Sequence, residues 1–343
     1  MLKRFLVKTV VSAALVSIFF FGMYSTVTAE SAADFYKGKV VRFLVPYSPG
    51  GGYDTYSRLI AAAMEKYMGS TVVVINKPGA GGMVGTNHVY NGARRDGLTV
   101  AIAPEGIPLA QAMKAPGVHF DAGAFNWLGS VYRDARLVAV SVDSPYKSIE
   151  DLRKLKQPKA STTEVTGPEG QHLVIAIEAL GMDHAKVVPG YVGSGSAILA
   201  VKRGEVDFCA FSLIHFLRDK KLLRPLAVIS EERIPQFPEI KAITEFGITP
   251  EARKMLGIVN LGKAAGRGLI TPPGVSKDKV AYLRGIMMKC LKDPDLLKKA
   301  EKLGLIVDPI PGAEVQAGVE KSLAISPEDV RKVKYIILEK YLK

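Results

Sequence analysis

Four short segments, rich in glycine and hydroxyl residues, are the places where this chain could do chemistry: Tyr47 to Asp54, Gly79 to Gly85, Thr166 to His172 and Tyr191 to Ser196. Each reads as a link from a strand end to a helix start. Helix N-termini present unpaired N–H groups and partial positive charge. Glycine lets the backbone approach a ligand closely. The chemistry on offer is capture of an anion. None of the four segments contains Lys or Arg, so the expected grip is main-chain N–H, hydroxyl and bridging water. Charge-assisted hydrogen bonds contribute about 1.5–3 kcal/mol each and micromolar binding needs about 8 kcal/mol, so a handful of contacts suffices.

Enzyme motifs are missing by spacing. Gly38-Lys39 is followed by Val40 and Gly262-Lys263 by Ala264, so no phosphate-cradling lysine loop exists. Ser194 has Val192 two residues before it and Ser196 two after, which is not a nucleophile elbow. The run from Gly193 lacks the third glycine of a dinucleotide fingerprint. Ser194 or Ser196 with His172 is the one nucleophile–base pairing that can be named. The histidines are scattered singly, and Cys209 and Cys290 lie far apart. No metal, cofactor or disulfide scaffold is expected.

The elements that must position these loops alternate. Val40 to Val45, Thr71 to Ile75 and Leu98 to Ala103 read as buried strands. Helices are expected over Thr55 to Tyr67 and Val84 to Tyr90. A second set follows: strands at Leu137 to Val142, Lys159 to Glu164, Lys186 to Val188, Val206 to Phe211 and Pro225 to Ile229, with helices at Gln171 to Leu180 and Ala197 to Arg203. The C-terminal third turns helical, and Ser326-Pro327-Glu328-Asp329 is a helix start. The expected class is α/β, with two doubly wound lobes. Leu137 to Val142 and Pro225 to Ile229 would carry the chain across and back. Lobe 1 is then roughly 33–136 plus 230–343, and lobe 2 roughly 137–229.

The chain has 343 residues and a net charge of +13. Lys3, Arg4 and Lys8 precede an apolar run from Val10 to Met23, too short for the roughly 20 residues of a membrane span. Val27-Thr28-Ala29 then supplies small residues at a cleavage site. Residues 1–29 are expected to be a signal peptide cut after Ala29, giving an exported, periplasmic protein. Loss of its three basic residues lowers the net charge to +10. That balance biases toward anionic ligands, while the lack of a Lys/Arg stripe interleaved with aromatics argues against nucleic acid. A monomer is expected.

Val45-Pro-Tyr-Ser-Pro-Gly-Gly-Gly-Tyr-Asp54, Val74-Ile-Asn-Lys-Pro-Gly-Ala-Gly-Gly-Met-Val-Gly85 and Asp96-Gly-Leu-Thr-Val100 resemble the N-terminal signature of the tripartite tricarboxylate transporter solute receptors, the TctC or Bug family. The likeness continues through Gly167 to Leu173, Val188 to Gly193, Gly204 to Asp207 and Leu223 to Val228. It implies a type II periplasmic-binding-protein fold, a hinged cleft closing over a small carboxylate, and delivery to integral membrane permease subunits. Carried over by position, Tyr47, Gly51, Gly52, Tyr53 and Asp54 would form one side of the cleft, supported by Gly81 and Gly82. Thr166, Gly167, Gln171 and His172 would face them, with Tyr191 and Gly193 nearby.

Each has a plainer reading: Asp54 as a helix cap, His172 as packing at a helix start, Tyr191 as core. Glu105, Glu164 and Glu169 read as solvent-exposed or as disfavouring highly charged substrates. The chain departs from the family pattern at Tyr53, after the triple glycine, and at Phe211, where many members carry an acid. If both rings face the cleft, a monocarboxylate with an apolar or aromatic tail is expected ahead of citrate. A receptor of another periplasmic uptake class, a sensor presenting ligand to a histidine kinase and an exported hydrolase are the alternatives.

Overall fold

A computed structural model describes residues 31–218 and 221–341; the expected signal peptide lies outside them. The chain begins its first sheet with β1 (Val40–Val45), followed by α1 (Gly52–Met68), β2 (Thr71–Asn76), α2 (Met83–Asn91), β3 (Thr99–Ile102), α3 (Ile107–Ala112) and β4 (Asn126–Ser130). It then builds a second sheet from β5 (Arg136–Ser141), β6 (Lys159–Ser161), α4 (Pro168–Ala179), β7 (Lys186–Val188), α5 (Gly193–Lys202), β8 (Phe208–Ser212) and β9 (Leu223–Val228). The return carries α6 (Pro250–Gly262), β10 (Gly268–Thr271), β11 (Ile310–Pro311), α7 (Gly312–Leu323) and α8 (Pro327–Lys334).

The first sheet has the order β11-β4-β10-β3-β1-β2 and the second β7-β6-β8-β5-β9. β1 lies parallel to β2 and β3, the arrangement that helical crossovers impose. β10 is antiparallel to both β3 and β4. In the second sheet β6 pairs parallel with β7 and β8, while β5 runs antiparallel to β8 and β9. The α/β class and the two sheets are as the sequence implies. The central strand β10 is an addition.

Strand parity sorts the second sheet's core. Val138 and Val140 of β5 and Phe208 and Ala210 of β8 pack on one face with Leu173 and Ile177 of α4. Leu137 and Ala139 with Cys209 and Phe211 pack on the other, with Ala197 and Val201 of α5. That is the period of two expected of a sheet covered on both sides. The first of these clusters also holds Met255, Leu256 and Val259 of α6, Val333 of α8, and Ile337 and Tyr341. Residues 230–343, assigned as a whole to lobe 1 from the sequence, therefore divide their packing between the two sheets: β10 and β11 pair in the first, whereas α6 and the C-terminal residues join the core of the second.

Candidate functional site

The residues that follow β1 and β2 meet those that precede α4 and α5 around a cleft of about 650 Å³. Tyr47, Gly51, Gly52, Tyr53, Gly81, Gly82 and Gly193 of the sequence-derived set line it. The N-termini of α1 and α5 both open on the cleft, through Gly51 to Tyr53 and Gly193 to Gly195. Their unpaired N–H groups and dipoles favour an anion there.

Two tyrosines form a continuous surface in the cleft. The Tyr47 and Tyr53 rings lie 4.5 Å apart between centroids. Tyr47 Oη donates to the Gly81 carbonyl at 3.2 Å, and Tyr53 Oη accepts the Glu105 N–H at 3.4 Å. Burial pushes both phenols well above their ordinary range.

The second glycine segment reaches Tyr47 by backbone geometry. Gly81 has φ +62°, a left-handed conformation that favours glycine. A Cβ at Gly81 would stand 2.7 Å from Glu164 Oε1, so the Glu164 carboxylate lies directly against this turn.

Two guanidinium groups also line the cleft, and both come from outside the four loops: Arg136 at the start of β5 and Arg267 just before β10. The cleft is therefore not free of cations, contrary to the inference drawn from loop composition. Arg136 is neutralised, by Glu105 and by Asp134 at 3.6 Å. Asp134 also accepts from Ser212 Oγ at 2.8 Å.

Arg267 is different. It is 7% exposed, and its Nε donates to Tyr132 Oη at 3.0 Å. The guanidinium stacks 4.3 Å from the Tyr53 ring centroid and 5.3 Å and 5.4 Å from those of Tyr56 and Tyr132. Its Nη1 has no hydrogen-bond partner, and a Cβ at Gly52 would stand 3.6 Å from that atom. Among the described residues no carboxylate forms an ion pair with it. Asp134 acts on it through space only, so a guanidinium without an ion-pair partner stands at the positive end of α1.

Two acids and two hydroxyls complete the opposite wall. Glu169 accepts from Ser194 Oγ at 2.7 Å and Thr163 Oγ1 at 3.2 Å. Burial raises its pKa, and these two hydroxyls with Arg136 oppose the shift. Glu164 has no such partners, and burial raises its pKa.

Thr166, Gly167 and Gln171 line a smaller chamber of about 170 Å³ that shares Ala80, Gly81, Glu164 and Pro168 with the main cleft. Gln171 Nε2 donates to the Thr166 carbonyl at 2.7 Å.

Asp54, His172, Tyr191 and Phe211 line neither cavity. Asp54 fastens the first loop: it accepts the Gly50 N–H at 2.9 Å, Asn76 Nδ2 at 2.9 Å and Arg58 Nε at 2.9 Å. His172 is buried, with Nδ1 at 2.6 Å from the Pro168 carbonyl and Nε2 unpartnered. Burial holds its pKa well below 6.5, so the ring is neutral at physiological pH. Tyr191 packs against the cluster under α5. Phe211 is fully buried in that cluster, edge-on to His215. Its strand parity turns it away from the cleft, which removes one of the two rings on which an aromatic-tailed ligand was expected.

The match of the family model for the tripartite tricarboxylate transporter family receptor runs over residues 56–337. This chain belongs to that receptor family. BugT of Bordetella pertussis is 29% identical over 233 residues, covering 64% of this chain and 70% of BugT. Two solved structures share the fold. MatC from Rhodopseudomonas palustris with bound malate superposes with TM-score 0.66 at 19% identity, covering 87% of this chain and 99% of MatC. Another R. palustris protein, with adipate, gives 0.67 at 22%, covering 87% and 97%. The fold is that of two-lobed periplasmic solute receptors.

Proposed function

We propose that this receptor captures a small organic carboxylate in the cleft between its two sheets and delivers it to integral membrane permease subunits. The observation that carries the reading is Arg267. A buried guanidinium without an ion-pair partner is expensive to maintain. It becomes favourable when an anion fills the space it shares with the α1 and α5 N-termini, and carboxylate geometry matches its fork. The two solved relatives hold dicarboxylates, malate and adipate.

The same reading makes the protein a binder rather than an enzyme. His172, the base in the one nameable nucleophile–base pair, lies buried on the Pro168 carbonyl, and Ser194 donates to Glu169 instead. Residues 1–29 would direct export and be removed after Ala29, leaving a monomeric periplasmic receptor with no nucleic-acid role.

Thermal-shift screening of the purified receptor against a carboxylate library tests this. A ligand at 100 times its Kd stabilises the native state by about 2.7 kcal/mol, a readable shift. Arg267→Lys should reduce that shift by weakening affinity tenfold or more, since the loss of one charge-assisted contact is worth about 1.5–3 kcal/mol. Absence of any responding carboxylate would overturn the reading.

A further inference from the structure

Resting on that reading, we infer that the cleft has two poles, and that Glu164 selects a ligand bearing a protonated amine at the end opposite the carboxylate held by Arg267. Most charges on the wall already have partners. Arg136 is held by Glu105 and Asp134. Asp134 is further held by Ser212, and Glu169 by Ser194 and Thr163. Two groups are left over. One is the Arg267 guanidinium, more than nine-tenths buried, with Nη1 unpartnered. The other is the Glu164 carboxylate, to which no hydrogen bond or ion pair runs among the described residues.

These leftovers have opposite sign and lie along one surface. Arg267 stacks on Tyr53, Tyr53 on Tyr47, and Tyr47 bonds the Gly81 carbonyl beside which the Glu164 carboxylate sits. A ligand lying on the tyrosine pair with its carboxylate at Arg267 therefore directs its far end at Glu164.

What that far end carries decides the energy. A second carboxylate would meet a like charge on a partly desolvated wall and find no free cation, because Arg136 is already paired. An aliphatic end would leave Glu164 as unpaired as before. A protonated amine supplies the missing counter-charge and donates to both oxygens of the carboxylate. It also reverses the effect of burial, which acts alone on Glu164 and raises its pKa.

The chain thus parts from its structural relatives that hold malate and adipate. Among the described residues, no second guanidinium without an ion pair lines the cleft.

Calorimetry with three matched series separates the possibilities: ω-amino carboxylates, fatty acids of the same length and dicarboxylates of the same length. The wild-type receptor should bind the best amino carboxylate at least tenfold more tightly than its fatty-acid match, and disfavour the dicarboxylate. Glu164→Gln keeps the side chain's size beside Gly81 and Gly167 and breaks no hydrogen bond. It should erase the amine advantage and raise dicarboxylate affinity. Dicarboxylates equal to or better than amino carboxylates in the wild type, or an amine preference unchanged by Glu164→Gln, would overturn the inference while leaving a carboxylate receptor standing. Failure of all three series would overturn the carboxylate reading along with it.

Discussion

Arg267 and Asp54 show how differently two charged residues beside the same loop can act. Asp54 is spent on structure: with Gly50, Asn76 and Arg58 as partners, its carboxyl is held below its ordinary range, and its work is to fix the loop that carries Gly51 to Tyr53. Arg267 has no such closure. Its position was not legible in the sequence because it belongs to none of the glycine segments. It lies in Gly266-Arg267-Gly268, a stretch with no periodicity of its own. Phe211 failed for a reason the sequence did contain. Residues 209 and 211 share a strand face in the strand expected over Val206 to Phe211, so the ring follows Cys209 into the apolar cluster under α5. Gly81 offers a test at this scale. Gly81→Ala should cost about 1 kcal/mol of stability through its left-handed φ. Its new methyl would also displace the Glu164 carboxylate. Calorimetry should therefore show weakened binding beyond what denaturation curves account for. Unaltered ligand affinity would mean that this turn and Glu164 stand apart from the bound solute.

Among the elements, the parallel strands were readable because each is a short continuous apolar run followed by a helix. β1 and β7 occupy the expected residues without change. β4 and β10 were not readable. They are short, and Gly129 and Gly268 interrupt the apolar pattern that would reveal them. Lys159 to Glu164 was expected as one strand, yet β6 stops at Ser161 and frees Glu164 to face the cleft. Gly170 in α4 makes that possible. A Cβ there would run into the backbone of Glu164 and Val165. Gly170→Ala should destabilise the fold by roughly 3 kcal/mol or more, since backbone cannot yield as a side chain does. A chemical melt unchanged from wild type would show that this turn moves freely.

Lys263, just beyond α6, gives a pH test. It is buried, its Nζ donates to the Ile229 carbonyl, and burial pulls its pKa from 10.5 down to about 8, with Arg136 adding repulsion. The unfolded chain then binds more protons between those values, so this residue's contribution to stability rises as pH rises through that window. Buried tyrosines with raised pKa values act in the opposite sense at higher pH, so the comparison is with Lys263→Met. The stability difference between wild type and variant should move in favour of wild type by roughly 2 kcal/mol from about pH 7.5 to about pH 9.5. A constant difference would place a solvated ammonium at this position.

At the scale of the whole molecule, the remaining question is how a solute reaches a buried guanidinium. The chain passes between the sheets at residues 131–135, between β4 and β5, and again through residues 229–267 on the way to β10. A shared apolar cluster containing Leu109 of α3 and Met113 just after it, Leu256 of α6 and Leu173 of α4 ties the two halves together. Closure on a ligand that keeps this cluster intact is expected as a rotation of the two halves, a hinge in the ordinary sense. Val192 is the side chain that such closure would cover. It stands immediately before α5, lines the cleft, and is 93% exposed. An apolar side chain so placed gains only when closure covers it, by about 1.5 kcal/mol or somewhat less for a valine. Ligand should therefore lower the radius of gyration in small-angle scattering. Val192→Ser should weaken affinity severalfold with no loss of stability in the unliganded protein, because the side chain contributes nothing until the mouth shuts. Superimposable scattering with and without saturating ligand, together with wild-type affinity in Val192→Ser, would describe a rigid cleft filled by diffusion and would remove closure from the account of binding.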